Sequence, residues 1–231
     1  MRRATNARVA GFAFLFYIAV GVTQMIVGRS IPAATEIASR LANLAGHAGV
    51  VHVNMLLGLV TAFTALTLAV ALYGITRSED EELAMLGMAC RLVEGALIVV
   101  PLFATLGLLS LARGERLPGE EASAHALAAF LFEVRRWNVM AAALFFAVGS
   151  TVTCWLLLRG RAIPVALAWL GVVSSLLLVV GLPLQMIGVL SGRLAMLMWI
   201  PMAAFEIPLG VWLLVKGVAP ARHSPAPHVT A

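Results

Sequence analysis

Charge is what this sequence has least of. Asp, Glu, Lys and Arg make up 12% of the 231 residues while hydrophobic residues make up 61%, where a soluble domain carries about 25% charged residues. A water-soluble globule of this size cannot hide so much apolar surface, because folded surface shrinks only slowly relative to mass. Cysteine is nearly missing too. The only two, Cys90 and Cys154, fall in apolar stretches, which excludes the disulfide framework of a small secreted domain and leaves them as small packing residues. The signatures of common enzymes are also absent: there is no G-x-S-x-G, no P-loop, no G-x-G-x-x-G and no Cys/His run with zinc spacing. His47 and His52 are five positions apart, about 140° round a helix, so they make no i, i+4 metal pair. No cofactor and no metal are expected. A membrane barrel is excluded as well, since its segments of about 10 residues alternate apolar and polar, and nothing here alternates in that way.

What is present is long uncharged runs. Val9–Gly28, Leu41–Thr76, Gly95–Ala112, Trp137–Leu158 and Ala162–Gly192 contain no Asp, Glu, Lys or Arg, and Leu194–Val215 contains Glu206 alone. Crossing a bilayer takes about 20 apolar residues in a helix. The runs predict an all-α integral membrane helical bundle of about six transmembrane helices, at 9–28, 49–75, 84–111, 138–158, 163–190 and 195–216. The first run follows Arg2, Arg3 and Arg8 but exceeds the apolar core of about 7–15 residues in a cleaved signal peptide, so it reads as a span. Residues 1–218 form one domain on this reading. The proline-bearing stretch 219–231 reads as a disordered cytoplasmic tail.

The net charge of +5 does not point to nucleic acid, which calls for a basic patch on one face. The basic residues sit at span ends, where they fix topology and meet lipid headgroups, so membrane lipid is the expected partner. With the N-terminus inside, Arg2, Arg3, Arg8, Arg77, Arg159, Arg161, Lys216 and Arg222 face the cytoplasm. Arg29, Arg40, Arg113, Arg116, Arg135, Arg136 and Arg193 then lie outside. The arginines ahead of the first span decide for N-in, C-in. Two outer segments read as short extracytoplasmic surface helices, lying on the membrane or capping the bundle. In Pro32–Gly46, Ile37, Leu41 and Leu44 make one apolar stripe. After the turn Leu117-Pro118-Gly119, Glu120–Arg136 has neither Gly nor Pro, and nothing stops it from continuing into the fourth span.

Two charges stand inside the third span and one inside the sixth. Arg91 and Glu94 are three apart and share a helix face. A charge at mid-span costs about 2.5–3.5 kcal/mol on insertion scales, so an unpartnered one is hard to keep. At about 1.5 Å per residue, Glu94 lies ~14 Å along its helix from Met85 and Glu206 ~15 Å from Lys216. With both helix ends cytoplasmic, the two acids share a depth and form one cluster with Arg91. That cluster has one negative charge in excess, which a proton on one carboxyl resolves most simply. Two readings stand: a ligand- or proton-linked site, or a bridge that only locks helices together. Pro201 and Pro208 flank Glu206 and free the carbonyls of Leu197 and Ala204, giving either a polar ligand site or a kink.

A secondary polar group lies near the outer ends: His47, His52, Asn54, His125, Glu133, Arg135, Arg136 and Asn138. Ordinary interfacial residues account for it. Gln24 and Gln185 read as single helix–helix hydrogen bonds.

Three stretches carry a resemblance. Ala7-Arg8-Val9-Ala10-Gly11 with Tyr17, then Arg91-Leu92-Val93-Glu94-Gly95-Ala96, then Glu206 followed by Trp212-Leu213-Leu214-Val215-Lys216-Gly217 resemble the "domain of unknown function 4386" family of multi-span membrane proteins. The resemblance covers about 7–217. It implies six helices in a bacterial inner membrane and singles out the same Arg91, Glu94 and Glu206, with no activity, substrate or cofactor attached. Three functions remain open. The chain binds or transports a small apolar or lipid-like molecule at Arg91, Glu94 and Glu206; or it is a structural, sensory or partner-binding subunit; or it is a membrane-embedded enzyme. The last is least supported, because no water-accessible nucleophile or metal is legible.

Overall fold

In lipid every backbone N–H and C=O must be satisfied within the chain, and a segment that is apolar all round can do this only as a helix. The structure, a computed structural model, describes residues 3–114 and 121–219. The turn expected at 117–119 and the tail beyond 219 lie outside the described residues. Among those residues the order is α1 (Arg3–Gly28), α2 (Ile37–Gly46), α3 (Ala48–Thr76), α4 (Glu81–Ala112), α5 (Glu121–Arg159), α6 (Val165–Met186), α7 (Gly192–Leu197) and α8 (Ile200–Val215). Six helical segments are long and apolar enough to cross a membrane, the last combining α7 with α8.

The expected spans match these helices closely, and α5 does continue from the outer segment into the fourth span without a break. The sixth span needs correction. It is not one helix over 195–216 but two pieces, separated at Met198–Trp199, with Pro201 in the first turn of α8. A proline there lacks the N–H that would bond one turn back and its ring clashes with that turn, so α7 ends and α8 restarts.

The six spans close a ring. α1 packs on α3, α3 on α4, α4 on α5, α5 on α6, α6 on α8, and α8 returns to α1. Small residues allow the closest crossings, as is general for membrane helices. A Cβ on Gly11 would lie 2.5 Å from the Leu214 amide nitrogen and 2.7 Å from the Gly210 carbonyl oxygen, so α1 and α8 touch backbone to backbone. Gly87 and Gly149 do the same for α4 and α5, where a Cβ on Gly149 would stand 2.9 Å from Cys90 Cβ.

One end of the ring is tied by polar contacts. Asp80 caps α4 by accepting from the Leu83 amide at 3.1 Å, and Arg159 at the end of α5 reaches Asp80 at 3.3 Å. Arg3 lies 3.6 Å from Glu79, and the Ala219 amide donates to the Ala162 carbonyl at 3.0 Å. This half of the ring is filled with side chains, among them Ala10, Phe14, Leu72, Leu157, Phe205 and Leu209. At the opposite end α2 caps the bundle: its Leu41 and Leu44 are buried against Val51, Leu108, Leu109 and Phe132. Arg40 seals the edge with its guanidinium 3.4 Å from the centre of the Phe132 ring. Between the filled half and the cap the ring is hollow.

Candidate functional site

Arg91 is held from three helices. Its position three residues before Glu94 puts both on the inward face of α4, and Nη1 donates to Glu94 Oε2 at 3.1 Å. The close α4–α5 crossing at Gly149 brings the next residue, Ser150, into reach, and Arg91 Nη2 donates to its Oγ at 3.0 Å. From α8, Glu206 Oε1 lies 4.0 Å from Arg91 Nη2. The Phe146 ring centre is 4.5 Å from the guanidinium carbon, close enough for a cation–π contact in a dry setting. From α1, the Tyr17 hydroxyl donates to Glu94 Oε1 at 2.9 Å. Arg91 and Glu94 are each 2% exposed and Glu206 is 8% exposed.

The two acids are not equivalent. Both oxygens of Glu94 are engaged, one by Arg91 and one by Tyr17. Among the described residues none donates a hydrogen bond to Glu206, whose nearest cationic nitrogen stands at 4.0 Å. A single guanidinium already committed to Glu94 and Ser150 does not neutralise a second carboxylate.

Above this cluster is a cavity of about 600 Å³, within the usual size range for a small-molecule site. Glu94, Glu206 and Tyr17 make its floor, Leu97, Ile98, Pro101, Leu102, Ala142, Ala143 and Phe146 its apolar walls, and Leu44 and Val51 part of its roof. Gln24, Asn54 and Arg135 add polar groups higher up. Arg91 lies under the floor and is not part of the lining. The cavity is open sideways. Its lining includes Gly21 and Met25 of α1, Val139 of α5 and Trp199 ahead of α8, all of them exposed, Met25 to 50% and Val139 to 61%. α1 and α5 are not packed neighbours, and α7 lies against α6 rather than between them. The break in the sixth span therefore leaves a window.

The structure thus brings Arg91, Glu94 and Glu206 together from α4 and α8. A model of the family described as a domain of unknown function (DUF4386) matches residues 9–217, nearly the whole chain. The chain belongs to the DUF4386 family. No curated protein and no solved structure matches it.

In this DUF4386 chain the secondary outer group does not assemble. Asn54 faces the cavity, whereas Glu133 and Arg136 are exposed and pair with each other across one turn of α5. His52 is exposed, and His47 closes the joint between α2 and α3, its Nδ1 2.9 Å from the Asn43 carbonyl. Of the two glutamines, Gln24 does bridge helices: it donates to the Asn54 carbonyl at 3.2 Å and accepts from the Thr61 hydroxyl at 3.1 Å. Gln185, in the last turn of α6, makes no such bond among the described residues. Sequence reasoning did not find Ser150, the hydrogen bond of Tyr17 or the place of Arg135 in the cavity wall. Tyr17 had a signal, standing two turns from Ala10 on a face shared with Ala13; Ser150 had none beyond being a hydroxyl in an apolar run.

Proposed function

We propose that this is a bacterial inner-membrane protein, with both termini cytoplasmic, that binds or transports a small amphipathic or lipid-like molecule in the hollow outer half of its ring. The observation that carries this reading is the half-open, largely apolar cavity with both of its acidic groups at the floor. A ligand from the surrounding lipid enters through the window between α1 and α5 without crossing water, sets its apolar part against Leu97, Ile98 and Phe146, and turns its polar group to Glu206 and Glu94. Tyr17, held by Glu94, presents its phenol at the same floor. The orientation is supported by Arg3 and Arg8 at the start of α1, because the first helix usually dominates insertion.

Native mass spectrometry of the detergent-purified protein tests the reading. A bound species of defined mass is expected on the wild type and should be lost from Ala142→Trp, which fills the cavity from α5. A wild type that carries no adduct, or an adduct that Ala142→Trp retains, refutes it. A second reading, a structural or partner-binding subunit whose charges lock α4, α5 and α8 together, draws support from the way Arg91 is enclosed by Glu94, Ser150 and Phe146. On that reading the Trp variant changes nothing and only Arg91 substitutions matter.

A further inference from the structure

We infer that the cavity is selective for an organic cation with an apolar body, its charge seated at Glu206. The inference rests on the cavity reading above and adds the chemical class of the ligand. Of the three buried charges only the two acids reach the cavity, while the arginine that offsets them lies beneath. Glu94 is saturated, so the charge left over is that of Glu206, whose side chain is 11% exposed, borders the cavity and receives no hydrogen bond from any described residue. A carboxylate in such a place calls for a compensating positive group, because an isolated buried charge is far costlier than a paired one.

Among the described residues no other basic side chain is near enough to serve. The one basic residue in the lining is Arg135, eleven residues before Phe146 on α5, which at about 1.5 Å per residue puts it ~16 Å higher. The space between is walled mostly by apolar side chains, with Gln24, Asn54, Thr61 and Thr105 as neutral polar groups and no further charge among the lining residues. Around the floor stand the rings of Tyr17, Phe146 and Trp199, the last two 6.1 Å apart, and aromatic faces favour an organic cation. An anion would meet Glu206 head on. A neutral polar molecule offers Glu206 no counter-charge and would leave a proton to balance it.

The full-length protein in lipid nanodiscs is titrated with tetraphenylphosphonium and with tetraphenylborate, ions of nearly the same shape and opposite charge, and saturable binding is measured against empty nanodiscs. The phosphonium should bind at least about tenfold more tightly than the borate. Glu206→Gln should lose at least about tenfold of the phosphonium affinity, a modest share of the attraction between opposite charges a few ångströms apart inside a protein. Glu206→Asp, which keeps the charge, should keep the preference and serves if the glutamine variant is poorly folded. Equal saturable binding of both ions, abolished by Ala142→Trp, would overturn the cation inference and leave the cavity reading standing. No saturable binding of either ion overturns the inference, and with no adduct in the mass spectrum the cavity reading falls too. Unchanged phosphonium binding by folded Glu206→Gln also sinks the inference.

Discussion

Replacing Arg91 by methionine tests the charged floor most directly. Methionine keeps much of the length and none of the charge, so the variant removes the 3.1 Å pair with Glu94, the 3.0 Å bond to Ser150 and the stacking on Phe146. At 2% exposure the pair is not screened by water, and breaking a buried pair by deleting one partner costs about 3–5 kcal/mol. A chain of this size shifts its midpoint by about 2–4 °C per kcal/mol, so Arg91→Met should melt roughly 6–20 °C below wild type in a detergent thermal-unfolding assay. The double change Arg91→Met with Glu94→Leu removes the stranded carboxylate as well. It should recover most of the loss, short by about 1–3 kcal/mol for the Tyr17 hydroxyl left without its acceptor. Adding Tyr17→Phe should remove that remainder. In double-mutant cycles the Arg91–Glu94 coupling should exceed the Arg91–Glu206 coupling, since the second pair stands at 4.0 Å with no hydrogen bond. A single Arg91→Met variant within about 1 kcal/mol of wild type would refute this account of the floor, and so would a double variant no better than the single.

The other expectations concern packing, topology and access. Gly11→Ala should lower the thermal midpoint by the equivalent of about 1–3 kcal/mol, because its Cβ meets backbone that cannot yield, whereas Gly21→Ala, with no atom within 4 Å of the new Cβ, should hold or raise it; equal effects would mean that α1 and α8 do not cross at Gly11. Reporters fused after Arg77 and after Arg159 should be cytoplasmic and one after Gly114 should be external, and an external reporter at Arg77 would invert the topology. Cys90 and Cys154, both free and buried, should react slowly with a charged maleimide in intact membranes; rapid labelling of either would require a water-filled path through the packed half of the ring.

How much of this could be read in advance follows from where the information lies. The spans were legible because a bilayer demands about 20 apolar residues whatever the neighbours, and the continuity of α5 because no Gly or Pro interrupts Glu121–Phe146. The meeting of Glu206 with Arg91 and Glu94 was legible as an equality of depth, since rise per residue is fixed in any helix. Which helices stand side by side was not: the spans are apolar on every face, so no stripe marks the side that packs. The closure of α1 on α8 depends on Gly11 and Gly210, two glycines among 20 in the sequence. The same ambiguity concealed Ser150 and Arg135, whose roles depend on crossing points. The break before α8 had its sign in Pro201, but a proline can bend a span or end it, and only the packing of α7 on α6 decides.

Because the ring is joined through its first and last helices, its assembly has an order. Membrane helices emerge from the ribosome one after another, N-terminal first. The Arg91–Glu94 pair lies within α4 alone, so the costliest charge can enter the bilayer already matched, and Ser150 and Phe146 are added when α5 follows. Glu206 arrives on α8, after every other member of the cluster is in place. Until then the groove on α1 around Gly11 faces lipid and the hollow has no complete wall. An intermediate stalled before α8 would carry a neutral, self-sufficient charge pair and an open trough; the finished protein differs from it by one acid and one helix. The machinery for stability and the feature assigned to recognition are thus completed at different moments of synthesis, the second only when α8 joins the ring.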